Sequence, residues 1–177
     1  MKKTSQIFTR IGDKGATKTL QGEFVPKDDC LIEVNGDIDS LQACLDKILA
    51  FSNYSEALAE EKEMIMQIQM LLWQMGGEIS QGNVGGFVNK PIEELHVDEL
   101  ESSIEKFSLY LDGFQRFKSM IAIEVNEARV RTRKLERTLT NYLREREIRS
   151  VVYKYVNRLS DYFFALSVRL EKEGLNL

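Results

Sequence analysis

Two prolines in 177 residues, Pro26 and Pro91, are the strongest constraint on what this chain can fold into. Proline lacks an amide hydrogen and clashes with the preceding turn, so it ends or kinks a helix. Both prolines fall outside the periodic stretches, and almost everything from about residue 38 onward is free to be helical. Leu41, Cys44, Leu45, Ile48, Leu49 and Phe51 recur at the three-to-four spacing of an amphipathic helix, with Asp37 or Asp39 suited to its N-cap. A second helix is expected over 56–80, with Met64, Ile65, Ile68, Leu71, Leu72 and Met75 on its apolar face. Gln81-Gly-Asn-Val-Gly-Gly86 then reads as a loop leading to Pro91. Further helices are expected over 92–111, 117–146 and 148–172. Strand signals stay within the first 35 residues, around Ile7-Phe8 and Leu31-Ile32-Glu33-Val34. The expectation is an all-α bundle of five helices with an extended N-terminal arm, one domain over 1–177 divided into an arm (1–36) and a bundle (37–177).

Composition narrows the function classes. The chain is 43% hydrophobic and 29% charged, ordinary for a globular protein able to bury a core. A net charge of −4 provides no positive field to hold a nucleic-acid backbone. Two cysteines, Cys30 and Cys44, and the single His96 rule out a zinc site of the usual Cys/His spacing and a disulfide framework. His96 opens a helix, where capping or exposure fits better than metal ligation. Met1-Lys-Lys is followed by Thr4-Ser-Gln instead of an apolar run, and no stretch of about 18 apolar residues could span a bilayer. The expectation is a cytoplasmic protein with neither membrane nor nucleic acid as partner.

The chemistry concentrates in three places. Phe8-Thr-Arg-Ile-Gly-Asp-Lys-Gly-Ala-Thr-Lys-Thr19 combines two glycines, three threonines and three cations, the ingredients of a polyphosphate cradle. It is not a Walker A loop, because that pattern, counted from Gly12, needs glycine where Thr17 stands. From the residues alone, a phosphate loop of another kind and a merely polar arm remain equally open. Arg129, Arg133, Glu136 and Arg137 share one stripe of the fourth helix, where three guanidinium groups need more balance than Glu136 supplies. On the fifth helix, Asn157 and Asp161 stand four apart beside Arg158 among Tyr155, Val156, Leu159, Tyr162 and Phe163. That setting suggests a buried polar network, paired with the fourth-helix arginines or serving a ligand. Trp73, Tyr155 and Tyr162 read as core or subunit contacts.

Taken together, these segments resemble the PduO-type ATP:corrinoid (cob(I)alamin) adenosyltransferases, which form trimeric, ferritin-like five-helix bundles. Phe8-Thr-Arg-Ile-Gly-Asp-Lys-Gly15 with Pro26-Lys-Asp-Asp29 is similar to that family's N-terminal ATP loop. Glu33-Val-Asn-Gly-Asp-Ile-Asp-Ser-Leu41 is similar to the segment opening its first helix, and Arg133-Lys-Leu-Glu-Arg137 with Asn157-Arg-Leu-Ser-Asp161 to its last two helical signatures. The resemblance implies transfer of the 5′-deoxyadenosyl group of ATP to the cobalt of cob(I)alamin or another corrinoid, with triphosphate released. It implies that Thr9, Arg10, Gly12, Asp13, Gly15 and Lys27 hold the triphosphate. Arg133 and Arg137 would reach it from a neighbouring subunit, with Glu136 and Asn157 beside the nucleotide. Glu33 would help to place Mg²⁺, Asp39 would pair with Arg133 across the subunit boundary, and Phe114 would crowd the lower face of the corrin.

The chain departs from the family pattern at three points. Gln115-Arg-Phe-Lys118 replaces a Leu-Pro-Gly-Gly-like turn, Asn126 stands where many members have histidine, and Ile11 stands where threonine is usual. The first two fall on the corrinoid side. They raise an alternative, a carrier or sensor of the same fold that binds ATP or corrinoid with weakened catalysis. A helical scaffold with an incidental basic stripe is the plainest reading. The resemblance further implies a homotrimer with sites between subunits, and a cob(II)alamin reductase or an adenosylcobalamin-dependent enzyme as partner.

Overall fold

The computed structural model describes residues 10–53, 55–81, 91–111, 113 and 116–174. Thr9, Phe114 and Gln115 lie outside the described residues, as do the expected strand at Ile7-Phe8 and most of the expected loop before Pro91. A short antiparallel hairpin comes first, with β1 (Ala16–Lys18) paired to β2 (Phe24–Pro26) so that Thr17 faces Val25. Its connection turns at Gly22, whose φ of +91° suits glycine. Helices follow as α1 (Cys30–Phe51), the single turn α2 (Glu56–Ala59), α3 (Lys62–Gln81), α4 (Glu94–Phe107), α5 (Met120–Tyr142) and α6 (Ser150–Gly174). The five long helices bear out the all-α bundle.

Two expectations about its start are corrected. The segment Leu31–Val34 is the first turn of α1 and not a strand, and α1 begins upstream of the expected residue 37. Asp29, extended at φ −60° and ψ 140°, is the N-cap and accepts the Leu31 N–H at 2.8 Å. Leu31, Val34, Ile38 and Leu41 carry the buried stripe continuously back to that cap. Asp37 is therefore mid-helix and buried, where Thr138 Oγ1 donates to it at 2.6 Å and Lys134 Nζ lies 2.6 Å away. The helix expected over 56–80 is divided between α2 and α3. Glu60 and Glu61, at that break, turn toward Arg169 on α6.

Neighbouring helices run in the order α3, α1, α5, α6, α4. Gln67 of α3 donates to Glu99 of α4 at 2.8 Å and links the two ends of that series. Leu41, Leu45 and Ile48 of α1, Ile65 and Leu72 of α3, Leu135 and Leu139 of α5, and Tyr155, Leu159, Tyr162 and Phe163 of α6 form the dry centre. Tyr155 and Tyr162 are thus core residues, whereas Trp73 is 75% exposed and is not. His96 takes its capping role, since its Nδ1 accepts the Glu93 N–H at 3.0 Å. No described helix is long and apolar enough to cross a membrane.

Candidate functional site

Glycine and charge shape the loop ahead of the hairpin. Arg10 takes a left-handed backbone conformation at φ +61°, residues Ile11–Lys14 make one 3-10 turn, and Gly15 closes it at φ +79°. A side chain at Gly15 would strain that backbone. The Gly15 N–H bonds to Gly12 O at 3.3 Å, and the Lys27 N–H bonds to Gly15 O at 2.9 Å. The Lys27 side chain folds over the turn, so that a Cβ built on Gly12 would lie 3.1 Å from Lys27 Nζ. The structure therefore brings Arg10, Gly12, Asp13, Gly15 and Lys27 together in one compact turn. Because the N–H groups of Asp13, Gly15 and Lys27 already bond inside it, cationic side chains must supply much of its attraction for an anion.

Leu20, in the hairpin connection, borders a groove of about 260 Å³ between α1 and α3, which is also lined by Asn35, Ile38, Asp39, Trp73 and Ser80. Asp39 is exposed on that face. Met66, Met70 and Trp73, all exposed, continue it along α3. Glu33 is exposed in the first turn of α1. The described residues contain no cluster of three or more His, Cys, Asp or Glu able to cage a metal ion. A single carboxylate fits Mg²⁺ that is held mainly by phosphate oxygens and water.

The arginine stripe separates into two kinds. Arg129 is half-buried, donates through Nε to Asn126 Oδ1 at 2.8 Å and lies 5.9 Å from the centre of the Phe164 ring. Arg133 and Arg137 are exposed and make no hydrogen bond or ion pair with the described residues. Arg137 lines a shallow basic groove of about 500 Å³ with Lys134, Thr138, Thr140 and Asn141. Lys134 cannot move freely there, because Asp37 holds it from α1.

The expected buried network on α6 is corrected. Asn157 and Asp161 are exposed at the edge of the helix, since Tyr155, Val156, Leu159, Tyr162 and Phe163 take the inward positions. Asn157 Nδ2 donates to Glu136 Oε1 at 2.9 Å, which sets Asn157 and Glu136 beside the two unpaired arginines. Asp161 pairs with Arg158 on its own helix at 3.0 Å, and Arg158 also reaches Glu101 of α4 at 2.8 Å.

Asp29 enters the sequence reading only as the end of the Pro26-Lys-Asp-Asp29 segment, and Arg146 carries no role there. The Arg146 guanidinium grips both oxygens of Asp29, at 2.8 and 3.1 Å, and its hydrogen bond holds that carboxyl below the usual carboxylate range against the opposing effect of burial. Burial pushes the neighbouring Cys30 thiol up. The missed signal was the true start of α1, which turns Asp29 from a loop residue into a cap.

The sequence pattern of the cobalamin adenosyltransferase family matches residues 7–170. The corrinoid adenosyltransferase of Citrobacter freundii is 30% identical over 172 residues, covering 94% of this chain and 95% of that protein. The Bacillus subtilis (strain 168) corrinoid adenosyltransferase is 30% identical over 164 residues, covering 90% and 83%. In fold, the chain superposes with a TM-score of 0.81 on a variant PduO-type ATP:corrinoid adenosyltransferase from Lactobacillus reuteri complexed with cobalamin and ATP, at 23% identity and covering 96% and 93%. The helical order, the glycine loop and a family pattern running through nearly every element lead to one conclusion: the chain belongs to the cobalamin adenosyltransferase family.

Proposed function

We propose that this protein transfers the 5′-deoxyadenosyl group of ATP to the cobalt of a reduced corrinoid and releases triphosphate. The observation that carries the reading is the display of Arg133 and Arg137 on one exposed face, with no ion pair to a carboxylate among the described residues. Two guanidinium forks side by side suit a polyanion better than water. In the reaction the cobalt(I) electron pair attacks C5′, the cobalt–carbon bond forms and the C5′–O bond breaks. Triphosphate departs with that bonding pair. No proton moves to or from carbon, so no general base is needed.

Arg10, Lys27 and the Gly12–Gly15 turn hold the triphosphate from one protomer, and Thr9 is a further candidate from the sequence motif. Arg133 and Arg137 of a neighbouring protomer stabilise the charge growing on the leaving oxygen, flanked by Glu136 and Asn157. Glu33 would help to hold Mg²⁺, which offsets phosphate charge when bound. Phe114 acts as an apolar wedge that excludes water and a lower axial ligand from the corrin. The assembly is a homotrimer in which Asp39 meets Arg133 across each boundary. The exposed Trp73 on the α1–α3 face, and the lack of a partner for Arg133 among the described residues, support that arrangement. The protein works in the cytoplasm, with a cob(II)alamin reductase or an adenosylcobalamin-dependent enzyme as its partner.

A second reading, an ATP- or corrinoid-binding carrier with weakened catalysis, is favoured by Asn126, whose side chain is engaged by Arg129. Mixing MgATP with chemically reduced cob(I)alamin and following the visible spectrum separates the two. Appearance of adenosylcobalamin supports the transferase. Tight ATP binding without it favours the carrier, and no MgATP binding by calorimetry removes the transferase and the ATP-binding form of the carrier.

A further inference from the structure

The glycine loop hangs on the bundle by few contacts. No residue from 10 to 30 with described burial is fully buried, so none of these supplies a buried apolar anchor. Polar ties run from it to the helices at its tip and at its base. At the tip, Gln21 Nε2 donates to Gln81 O at the end of α3. At the base stands Asp29, with both carboxylate oxygens in the fork of Arg146, in the connection between α5 and α6. The same carboxylate caps α1 through the Leu31 N–H. A continuous hydrogen-bonded path leads back to the loop. The Asp29 N–H bonds to Pro26 O at 3.1 Å, Pro26 is the last residue of β2, and the next residue, Lys27, bonds through its N–H to Gly15 O. Arg146 is itself held by the Tyr142 ring, 5.6 Å away, and its Nη1 lies 3.2 Å from Cys30 Sγ.

We propose that the Asp29–Arg146 pair is a latch that sets where the glycine loop stands on the bundle, making Arg146 a positioning residue that acts on the nucleotide through Asp29. The inference rests on the reading of that loop as the triphosphate site. With the latch shut, the loop is already ordered when ATP arrives. With it open, binding must also order the loop, which weakens affinity and leaves the saturated rate nearly unchanged. The guanidinium fork and the carboxylate act only as a pair. Removing either should have the same effect, and removing both no more than one.

The test compares Arg146→Ala, Asp29→Asn and the double variant with the wild type by MgATP calorimetry and steady-state turnover. Asn caps a helix about as well as Asp, so Asp29→Asn opens the latch without uncapping α1 and covers the case in which Arg146→Ala does not fold. Each variant should raise the MgATP Kd and KM roughly tenfold with kcat within about twofold, the double variant matching the singles. Arg146→Lys, a charge without a fork, should fall between. Alkylation of Cys30 by iodoacetamide supplies an independent reading, with buried Cys44 as the internal control. Removing Arg146 takes away a positive charge that favours the thiolate, so faster alkylation in Arg146→Ala reports access to the thiol and not its acidity. Wild-type affinity and alkylation rate in both single variants overturn the latch. Weak binding in Arg146→Ala beside normal binding in Asp29→Asn also overturns it, by making Arg146 a direct phosphate ligand. Absence of MgATP binding in the wild type overturns the loop reading itself, while Cys30 alkylation still shows whether the pair holds the hairpin base.

Discussion

Arg169 on α6 and Arg133 on α5 are the same residue type on adjacent helices, and their surroundings are opposite. Arg169 is 11% exposed at its side chain and meets Glu60 at 2.5 Å, Glu61 at 3.1 Å and Glu173 at 3.0 Å, with the Phe107 ring centred 5.2 Å away. Burial works against its charge, but the Glu60 and Glu173 carboxylates outweigh it and push its pKa above the usual arginine value. Arg133 and its neighbour Arg137 stand in solvent with no acid of the described residues. A chain that neutralises one arginine with three acids and leaves two others bare has acids enough; their placement is the information. The first arrangement binds α2, α4 and α6 together. The second leaves charge available to something outside the protomer.

Exchanging these roles by mutation is the sharpest challenge. Arg133→Ala should lower turnover by roughly 10²–10³, the range for loss of one preorganised charge-stabilising donor, with the protomer still folded by circular dichroism. A wild-type rate in a steady-state adenosylation assay would remove Arg133 from the site and end the contrast. Arg169→Ala should do the reverse. Removing one member of a mostly buried ion network costs about 3 kcal/mol, read as a lower urea midpoint, while per-molecule activity of the folded fraction stays near wild type.

A smaller effect is expected at Glu171, which is 2% exposed and accepts the backbone N–H groups of Lys118 and Ser119 at 2.9 Å each. Burial raises its pKa, but those donors more than offset this and hold it below the ordinary 4.5. The folded state therefore binds fewer protons there than the unfolded state, and the ionised carboxylate stabilises above about pH 4.5. That contribution is lost as pH falls through the lowered folded value. Glu171→Gln should lose about 1 kcal/mol at pH 7, and its deficit should shrink in acid urea titrations. The smallest change is expected at Lys154, an exposed partner of exposed Glu94, where alanine should leave the melting temperature unmoved.

The positions of these residues show how far the sequence could be read. The apolar face of α6 at Tyr155, Val156, Leu159, Tyr162 and Phe163 was plain from its spacing, since helical burial repeats in the chain itself. The start of α1 was not, because Leu31-Ile32-Glu33-Val34 carries β-branched residues that suit a strand equally well. Capping by Asp29 and packing of Leu31 and Val34 decided for the helix. Asn157 and Asp161 looked buried because their neighbours are apolar. Residues 157 and 161 lie on the outer edge of the same helix, and only its packing against α5 and α4 reveals which edge that is.

The residues alone settled the class of fold, the glycine loop and the arginine stripe. Periodicity, local backbone freedom and charge spacing are properties of neighbours along the chain. Which arginines remain bare was decided only by tertiary packing. Asn126 and Phe164 take up Arg129, Asp37 restrains Lys134 from another helix, and Asp29 reaches Arg146 across more than half the chain. A charge is neutralised by whatever lies within a few ångströms in space, and distance along the sequence carries almost no record of that.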